Sequence, residues 1–446
     1  MVEIEKSLNV WRDYEKMIQK NGRRKRLAPR ALSRIGFWGG IFLFVLISIC
    51  LTGRWIFAHL GQSSPPKGAT NVQSSLALTR GELPGLLLGG ADRIFPVEQK
   101  YTVQYNGSTL HVETSIDPDL QQYVRELIDR SSAYKTAVVV IRPDNGQVLA
   151  LANHADLQRP THENLCLRAE FPAASLFKIV AAAAAIEARG FTPETILAFR
   201  GQKYTLYKSQ LRPDNKVKGP TKMSLKEAFG DSVNPFFGRV GIYHLGRDVI
   251  AEYADKFLFN QSIPFDLPVS MSSIEIPTDD FGLAEIASGY NRRTVISPLH
   301  AALLTAAVAN KGVLMSPWLV ANIKDEKGNT VYEASPSRLA SPISESTAQK
   351  MKILMGETVS DGTCKRAFKP LHRRDVLRDL ILGAKTGTIN DQLGEHRVEW
   401  LSAFALPANG DPGLAVAILT VHGEKLGSRP KEIAKRIFSH LFNRQG

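Results

Sequence analysis

Cysteine is scarce: three residues in 446, too few to build a disulfide framework for a chain of this length. No low-complexity segment and no internal repeat is found, and the 34 Gly and 24 Pro follow no collagen-like period. With 43% hydrophobic and 22% charged residues, disordered, collagen-like and low-complexity classes are excluded and a globular chain remains. Acidic residues are outnumbered, 43 against 56 Lys+Arg, which leaves a formal +13. Such an excess points to nucleic acid only if it lies on a folded surface.

It does not. Residues 1–34 hold ten Lys/Arg and four Asp/Glu, so nearly half of the excess sits in the first 34 positions. Arg23, Arg24, Lys25, Arg26, Arg30 and Arg34 form an acid-free cluster. Directly after it, Ile35 to Gly53 is 19 residues without a charge, with Trp38 and Trp55 near its ends. That length matches the hydrocarbon thickness of a bilayer, and flanking cations stay on the cytoplasmic side. No clear small-x-small cleavage site follows the apolar run, so an uncleaved anchor is preferred to a signal peptide. The expected organisation is a basic cytoplasmic leader (1–34), one transmembrane helix (35–58), an extracytoplasmic tether (59–100) and a folded domain (101–446). No nucleic acid partner is expected.

Tyr101, Val103 and Tyr105, then Asn106-Gly107, then Leu110 and Val112 predict a β-hairpin. Asp117-Pro118 caps a helix carrying Leu120, Tyr123, Val124 and Leu127 at helical spacing. Ala137–Ile141 and Gln147–Ala152 read as strands around an Asp144-Asn145-Gly146 turn. Trp400–Leu406 and Leu414–Val421 read as two more, and Pro430–Phe442 as an amphipathic helix burying Ile433, Ile437, Phe438 and Leu441. The stretch 173–360 is mostly helical. One α/β domain follows, with its sheet completed by the C-terminus.

The most informative helix runs from Pro172 to Gly190 and is apolar on nearly every face. Lys178 is the only charge between Glu170 and Glu187. A buried lysine loses solvation, its pKa falls, and it becomes a candidate base. Ser175 lies three residues earlier on the same face, near the helix N-terminus, where backbone N–H groups favour a developing oxyanion. Serine needs a neighbour to take its proton. Alone, Ser-x-x-Lys is weak: Ser132-Ala133-Tyr134-Lys135 also matches, in a polar context, and Lys178 reads equally well as a snorkelling residue. Ser232-Val233-Asn234 follows 57 residues after Ser175, and Lys385-Thr386-Gly387-Thr388 a further 153 residues on, just before the strand at Trp400. Each has an ordinary reading, as an accident or a turn. Three in this order, with the first on a buried helix, do not.

In these motifs the sequence resembles the penicillin-binding proteins and active-site-serine β-lactamases, whose motifs are Ser-x-x-Lys, Ser-x-Asn and Lys-Thr-Gly. Val112–Asp117, Ala137–Ile141, Gly146–Ala150, Ile296–Leu299, Ala309–Gly312 and Gly362-Thr363 also look like the transpeptidase domain of that family, over about 110–440. The resemblance implies an α/β fold, an antiparallel sheet flanked by helices with a mostly helical subdomain. It implies a peptidoglycan DD-transpeptidase that binds penicillin covalently and takes peptidoglycan stem peptides and β-lactam antibiotics. Ser175 would be the nucleophile, Lys178 its base, Ser232 a proton relay and Asn234 a substrate-amide contact. Lys385 would supply positive potential, Thr386, Gly387 and Thr388 would bind the terminal carboxylate, and the N–H groups of Ser175 and Thr388 would form the oxyanion hole. No cofactor and no metal is implied.

About 50 residues separate the anchor from this domain, too few for the glycosyltransferase domain of bifunctional relatives or for a large N-terminal pedestal. A separate glycan polymerase, or a division or elongation protein, is therefore a candidate partner. Ala173-Ala174 stand where relatives often have Gly, and Ile389 where Thr is common. A DD-carboxypeptidase would use the same residues, and a catalytically idle scaffold or sensor is the alternative of another class. A β-lactamase is disfavoured because no Glu-x-x-x-Asn lies between the second and third motifs. The implied location is the bacterial inner membrane, single-pass, with the catalytic domain extracytoplasmic. There Cys166 and Cys364 either pair or stand as separate buried thiols. His154, His162 and Cys166 match no metal-ligand spacing and read as loop residues.

Overall fold

The computed structural model describes residues 77–88, 98–155, 164–213, 219–369, 378–410 and 412–443. The leader and the expected membrane span, 1–34 and 35–58, lie outside these residues, as do Cys50 and His162. Among the described residues no helix is long and apolar enough to cross a membrane.

The first strands described form a hairpin, β1 (Lys100–Tyr105) and β2 (Ser108–Thr114). Its turn carries Asn106 at φ 49° and Gly107 at φ 80°, the pair of positive φ values that a two-residue hairpin loop demands. Helix α1 (Pro118–Asp129) follows, the Asp117 carboxylate accepting from the Leu120 N–H at 2.9 Å. Strands β3 (Lys135–Ile141) and β4 (Val148–Ala155) come next. The helical half contains α2 (Lys178–Arg189), α3 (Leu225–Gly230), α4 (Asn234–Val240), α5 (Asp280–Ser288), α6 (Pro298–Ala309) and α7 (Glu345–Ser360). It is interrupted by β5 (Val320–Asp325) and β6 (Thr330–Glu333). The chain then returns through β7 (Leu380–Asn390), β8 (Arg397–Pro407), β9 (Leu414–His422) and α8 (Pro430–Asn443).

The central sheet is antiparallel, in the order β7-β8-β9-β3-β4, so the C-terminal strands complete a sheet begun by β3 and β4. Strand alternation sends Val138, Val140, Leu401, Ala403, Val416 and Ile418 to one face, where α1 and α8 cover them. Ile433, Ile437 and Phe438 of α8 are buried there, while Leu441 is only partly so. The other face receives α6, buried along its whole length, with the Ser402 hydroxyl donating to the Ala301 carbonyl at 2.7 Å. A second sheet has the order β1-β2-β5-β6. Onto it docks Leu83–Leu88, a short helix whose Leu83, Leu86 and Leu87 are buried.

The Lys-Thr-Gly motif precedes the strand at Trp400, as expected, and lies in a strand of its own: β7 is an edge strand paired with β8, Gly387 facing Trp400. One expectation needs correction. The central helix does not begin at Pro172, which sits in a short bridge to Val295. A 3-10 turn, Ala174–Phe177, leads into α2 at Lys178. Cys166 and Cys364 are both buried and unpaired with each other.

Candidate active site

Helix α2 buries every residue from Lys178 to Ile186. Alanines Ala181–Ala185 are small and buried, and the Lys178 side chain is fully buried beside them. Lys178 Nζ lies 2.8 Å from Ser175 Oγ, 2.8 Å from Asn234 Oδ1 and 2.6 Å from the Ser288 carbonyl oxygen. The first and second motifs therefore meet on one nitrogen. Ser175, in the 3-10 turn, remains partly accessible while its neighbours Ala174 and Leu176 are buried.

The second motif bridges α3 and α4. Ser232 adopts φ 59°, a left-handed conformation that non-glycine residues rarely hold. Backbone contacts fix it: the Val233 N–H donates to the Ala228 carbonyl at 2.9 Å, and the Asn234 N–H to the Lys203 carbonyl at 2.7 Å. Asn234 Nδ2 donates to the Tyr204 carbonyl at 3.1 Å, which orients the amide so that its oxygen faces Lys178. The Lys203 side chain pairs with Asp231.

The third motif brings a second buried amine. Lys385 Nζ donates to Ser232 Oγ at 2.8 Å and to the Thr386 carbonyl at 2.9 Å. Thr386 Oγ1 is 2.8 Å from Thr363 Oγ1, and the Thr363 N–H donates to the Gly230 carbonyl at 3.1 Å, tying the third motif to the second. Gly387 abuts the nucleophile's turn: a Cβ there would lie 3.2 Å from Ala174 Cβ and 3.4 Å from Ser175 N. Thr388 is exposed on the strand. All five expected reacting residues, and the strand bearing Thr386, Gly387 and Thr388, thus converge on one site.

Electrostatics follow from burial. Desolvation drives Lys178 well below the ordinary lysine range, and the charge of Lys385 pushes it the same way. Burial pushes Lys385 down to about 7. The rings of Phe237 and Phe229 stand 5.7 Å and 5.5 Å from the two nitrogens and partly compensate whichever is charged.

Three participants were not assigned a role in the site from the sequence. Ser288 contributes only a backbone carbonyl, one of the unsatisfied acceptors at the end of α5. Gly289, at φ 66°, ends that helix directly under Ala174. Its helix-stop signal is readable, but its place in the site is not. Thr363 was visible only as part of a resembling Gly-Thr pair. Among the described residues no group of acidic, His or Cys side chains could hold a metal ion.

Known proteins are similar in sequence and in fold. The peptidoglycan D,D-transpeptidase PbpA of Mycobacterium tuberculosis is 26% identical over 417 residues, covering 84% of this chain and 81% of its own. The D,D-transpeptidase domain of a peptidoglycan glycosyltransferase from Eggerthella lenta superposes with a TM-score of 0.62 at 24% identity, over 75% of this chain and 83% of that one. Penicillin-binding protein A from M. tuberculosis, solved as its imipenem acyl-enzyme complex, superposes at 0.60 and 24% identity, over 74% and 79%. The penicillin binding protein transpeptidase domain matches residues 136–442, and the chain belongs to that family.

Proposed function

We propose that this chain is a serine acyltransferase that cross-links peptidoglycan stem peptides as a membrane-anchored DD-transpeptidase. The observation that carries this reading is the set of three contacts on Lys178. A neutral amine has two N–H bonds and one lone pair. The Asn234 and Ser288 oxygens are acceptors only, so they take both hydrogens and leave the lone pair for the Ser175 hydroxyl. Burial favours that neutral state. Lys178 then removes the Ser175 proton as Oγ attacks the carbonyl between two terminal D-alanines, and D-alanine leaves with a proton returned through Ser232. Lys385, bonded to Ser232 and beside Thr386, holds the terminal carboxylate and the relay hydroxyl together. The N–H groups of Ser175 and Thr388 stabilise the oxyanion. An amine from a neighbouring strand then attacks the acyl-enzyme, Ser175 leaves, and a new amide forms. A β-lactam mimics the donor and stays on Ser175, as imipenem does in the acyl-enzyme complex of the M. tuberculosis relative.

Fluorescent penicillin tests this directly. The wild type is expected to be labelled and Ser175→Ala unlabelled; an unlabelled wild type would sink the enzymatic reading. Incubation with purified stem peptides then separates cross-linked dimer from simple D-alanine release, the mark of a carboxypeptidase.

The anchor reading rests on the charge-free run Ile35–Gly53 behind six cations. It places the domain outside the bacterial inner membrane. Protease protection in spheroplasts checks it: the domain is expected to be digested from outside. Pull-down from membranes is expected to recover a glycan polymerase or a division or elongation protein, and recovery of neither counts against a partner.

A further inference from the structure

Thr363 is held from several sides where the chain leaves α7. Its N–H donates to the Gly230 carbonyl at 3.1 Å, and its own carbonyl accepts from Lys431 Nζ of α8 at 3.5 Å. Gly362 before it has no room for a side chain: a Cβ there would lie 2.3 Å from the Gly230 carbonyl oxygen. Cys364 after it is fully buried, its N–H donating to the Thr358 carbonyl at 2.9 Å. The backbone of Thr363 is thus fixed against the end of α3, two residues before Ser232. Its side chain reaches the third motif, with Thr363 Oγ1 2.8 Å from Thr386 Oγ1. The acyl-transfer chemistry described above gives Thr363 no part.

The direction of that hydrogen bond decides what Thr386 can hold. Two hydroxyls 2.8 Å apart share one hydrogen, and either oxygen can supply it. A terminal carboxylate only accepts, so a Thr386 that binds it must point its own hydrogen at the ligand. Thr386 Oγ1 then accepts from the Thr363 O–H. The opposite sense turns a Thr386 lone pair toward the carboxylate, which repels it. A carboxamide offers both a donor and an acceptor, so it fits either sense.

Behind Thr363 stands a further donor. The Cys364 thiol is hydrogen-bonded to the Thr363 side chain, and burial pushes it up to about 12, so it keeps its proton. A chain from the Cys364 S–H through the Thr363 O–H to the Thr386 O–H runs one way, toward the ligand. In such a chain each bond polarises the next.

We infer that Thr363 is a positioning residue: it holds the Thr386 hydroxyl as a donor, and the site thereby prefers a stem peptide ending in a free carboxylate over one ending in an amide. The inference rests on the acyl-transfer reading above and adds to it a residue that sets end-group selectivity.

The test compares two peptides, one ending in D-Ala-D-Ala and the other in D-Ala-D-alaninamide. Equilibrium binding to full-length Ser175→Ala protein needs no catalysis. The carboxylate peptide is expected to bind more tightly than the amide. Thr363→Val keeps the shape and removes the hydroxyl, and is expected to cut that preference about fivefold, the scale of one hydrogen bond. Thr363→Ser is expected to restore it, and Thr363→Ala serves as a second deletion should the valine variant not fold. In a Thr386→Val background, Thr363→Val is expected to have no further effect on the preference. Equal binding of the two peptides by the Ser175→Ala protein overturns the assignment. So does a parallel loss for both peptides in Thr363→Val, the mark of a merely structural role, or an effect that survives in Thr386→Val. Penicillin labelling of the wild type, run alongside, reports on acyl transfer alone. A labelled enzyme whose preference ignores Thr363 removes the positioning role and leaves the function standing; a Thr363-dependent preference without labelling does the reverse.

Discussion

The Lys178 amine lies 2.6 Å from the carbonyl oxygen of Ser288, a contact that joins the first-motif helix to the end of a helix 110 positions later. Together with the Asn234 amide oxygen it fixes where both hydrogens of a neutral amine point. Lys178→Met keeps the length of the side chain and removes the base. Acylation by penicillin is expected to fall by roughly 10²–10⁴, the usual contribution of a positioned general base. An unchanged second-order labelling rate would show that another group takes the Ser175 proton.

The two buried lysines set the pH dependence. Lys178 acts neutral and Lys385 acts charged. Both are lowered, Lys178 well below its ordinary range and Lys385 to about 7. Acylation should therefore rise as Lys178 loses its proton and fall again as pH passes about 7 and Lys385 loses its own. Lys385→Arg replaces that titrating amine with a guanidinium that stays charged. The alkaline limb is expected to vanish even if the maximum rate drops. A limb that persists in Lys385→Arg would assign it to a different group. The same shifts bear on stability: a group depressed on folding contributes stability above its unfolded value near 10.5, which is lost as pH falls through the folded value.

Gly289 is irreplaceable for two reasons that act together. It holds φ 66°, and a Cβ there would lie 1.9 Å from the Ala174 carbonyl oxygen. Ala174 itself sits at φ 49° just before the nucleophile, so it has little freedom to retreat. Gly289→Ala is expected to displace the Ser175 turn and cut the labelling rate about 10²-fold, the scale of a misplacement near 1 Å. Near-wild-type labelling would mean that the turn yields without moving Ser175.

The sequence made the hairpin at Tyr101–Val112 legible because alternation and Asn106-Gly107 agree, and the buried helix legible because one lysine stands in an apolar run. The three motifs were legible as residue types. Strand β7 was not, because Gly383 and Gly387 interrupt its pattern. Both glycines make room for neighbours: a Cβ on Gly383 would meet the Phe404 ring at 2.2 Å, and Gly387 lies under Ala174. The Ser288 carbonyl was invisible because every residue has one. Its role arises only from where α5 stops, which tertiary packing decides.

Asp266 tests where the folded domain begins. It is fully buried and accepts from the N–H groups of Leu319 and Val320 at 2.6 and 2.8 Å, and from Arg80 Nε at 2.9 Å. Arg80 also donates to Ser316 Oγ at 2.8 Å and to the Pro317 carbonyl. Asp266→Ala strips the acceptor from two backbone donors and a guanidinium, so a loss of about 3 kcal/mol is expected in denaturant unfolding. Arg80→Ala leaves a buried carboxylate with its two backbone donors, and Arg80 is itself partly exposed, so a loss of about 1–2 kcal/mol is expected. The double variant should cost less than the sum of the two, because both changes remove the same pair. Arg80 lies in the stretch that the sequence assigns to a tether, yet the Leu78 N–H also donates to the Val331 carbonyl at 2.8 Å. A neutral Arg80→Ala would mean that residues 78–88 rest on the domain without holding it. The expected loss would put the start of the cooperative unit at least 20 residues before position 101.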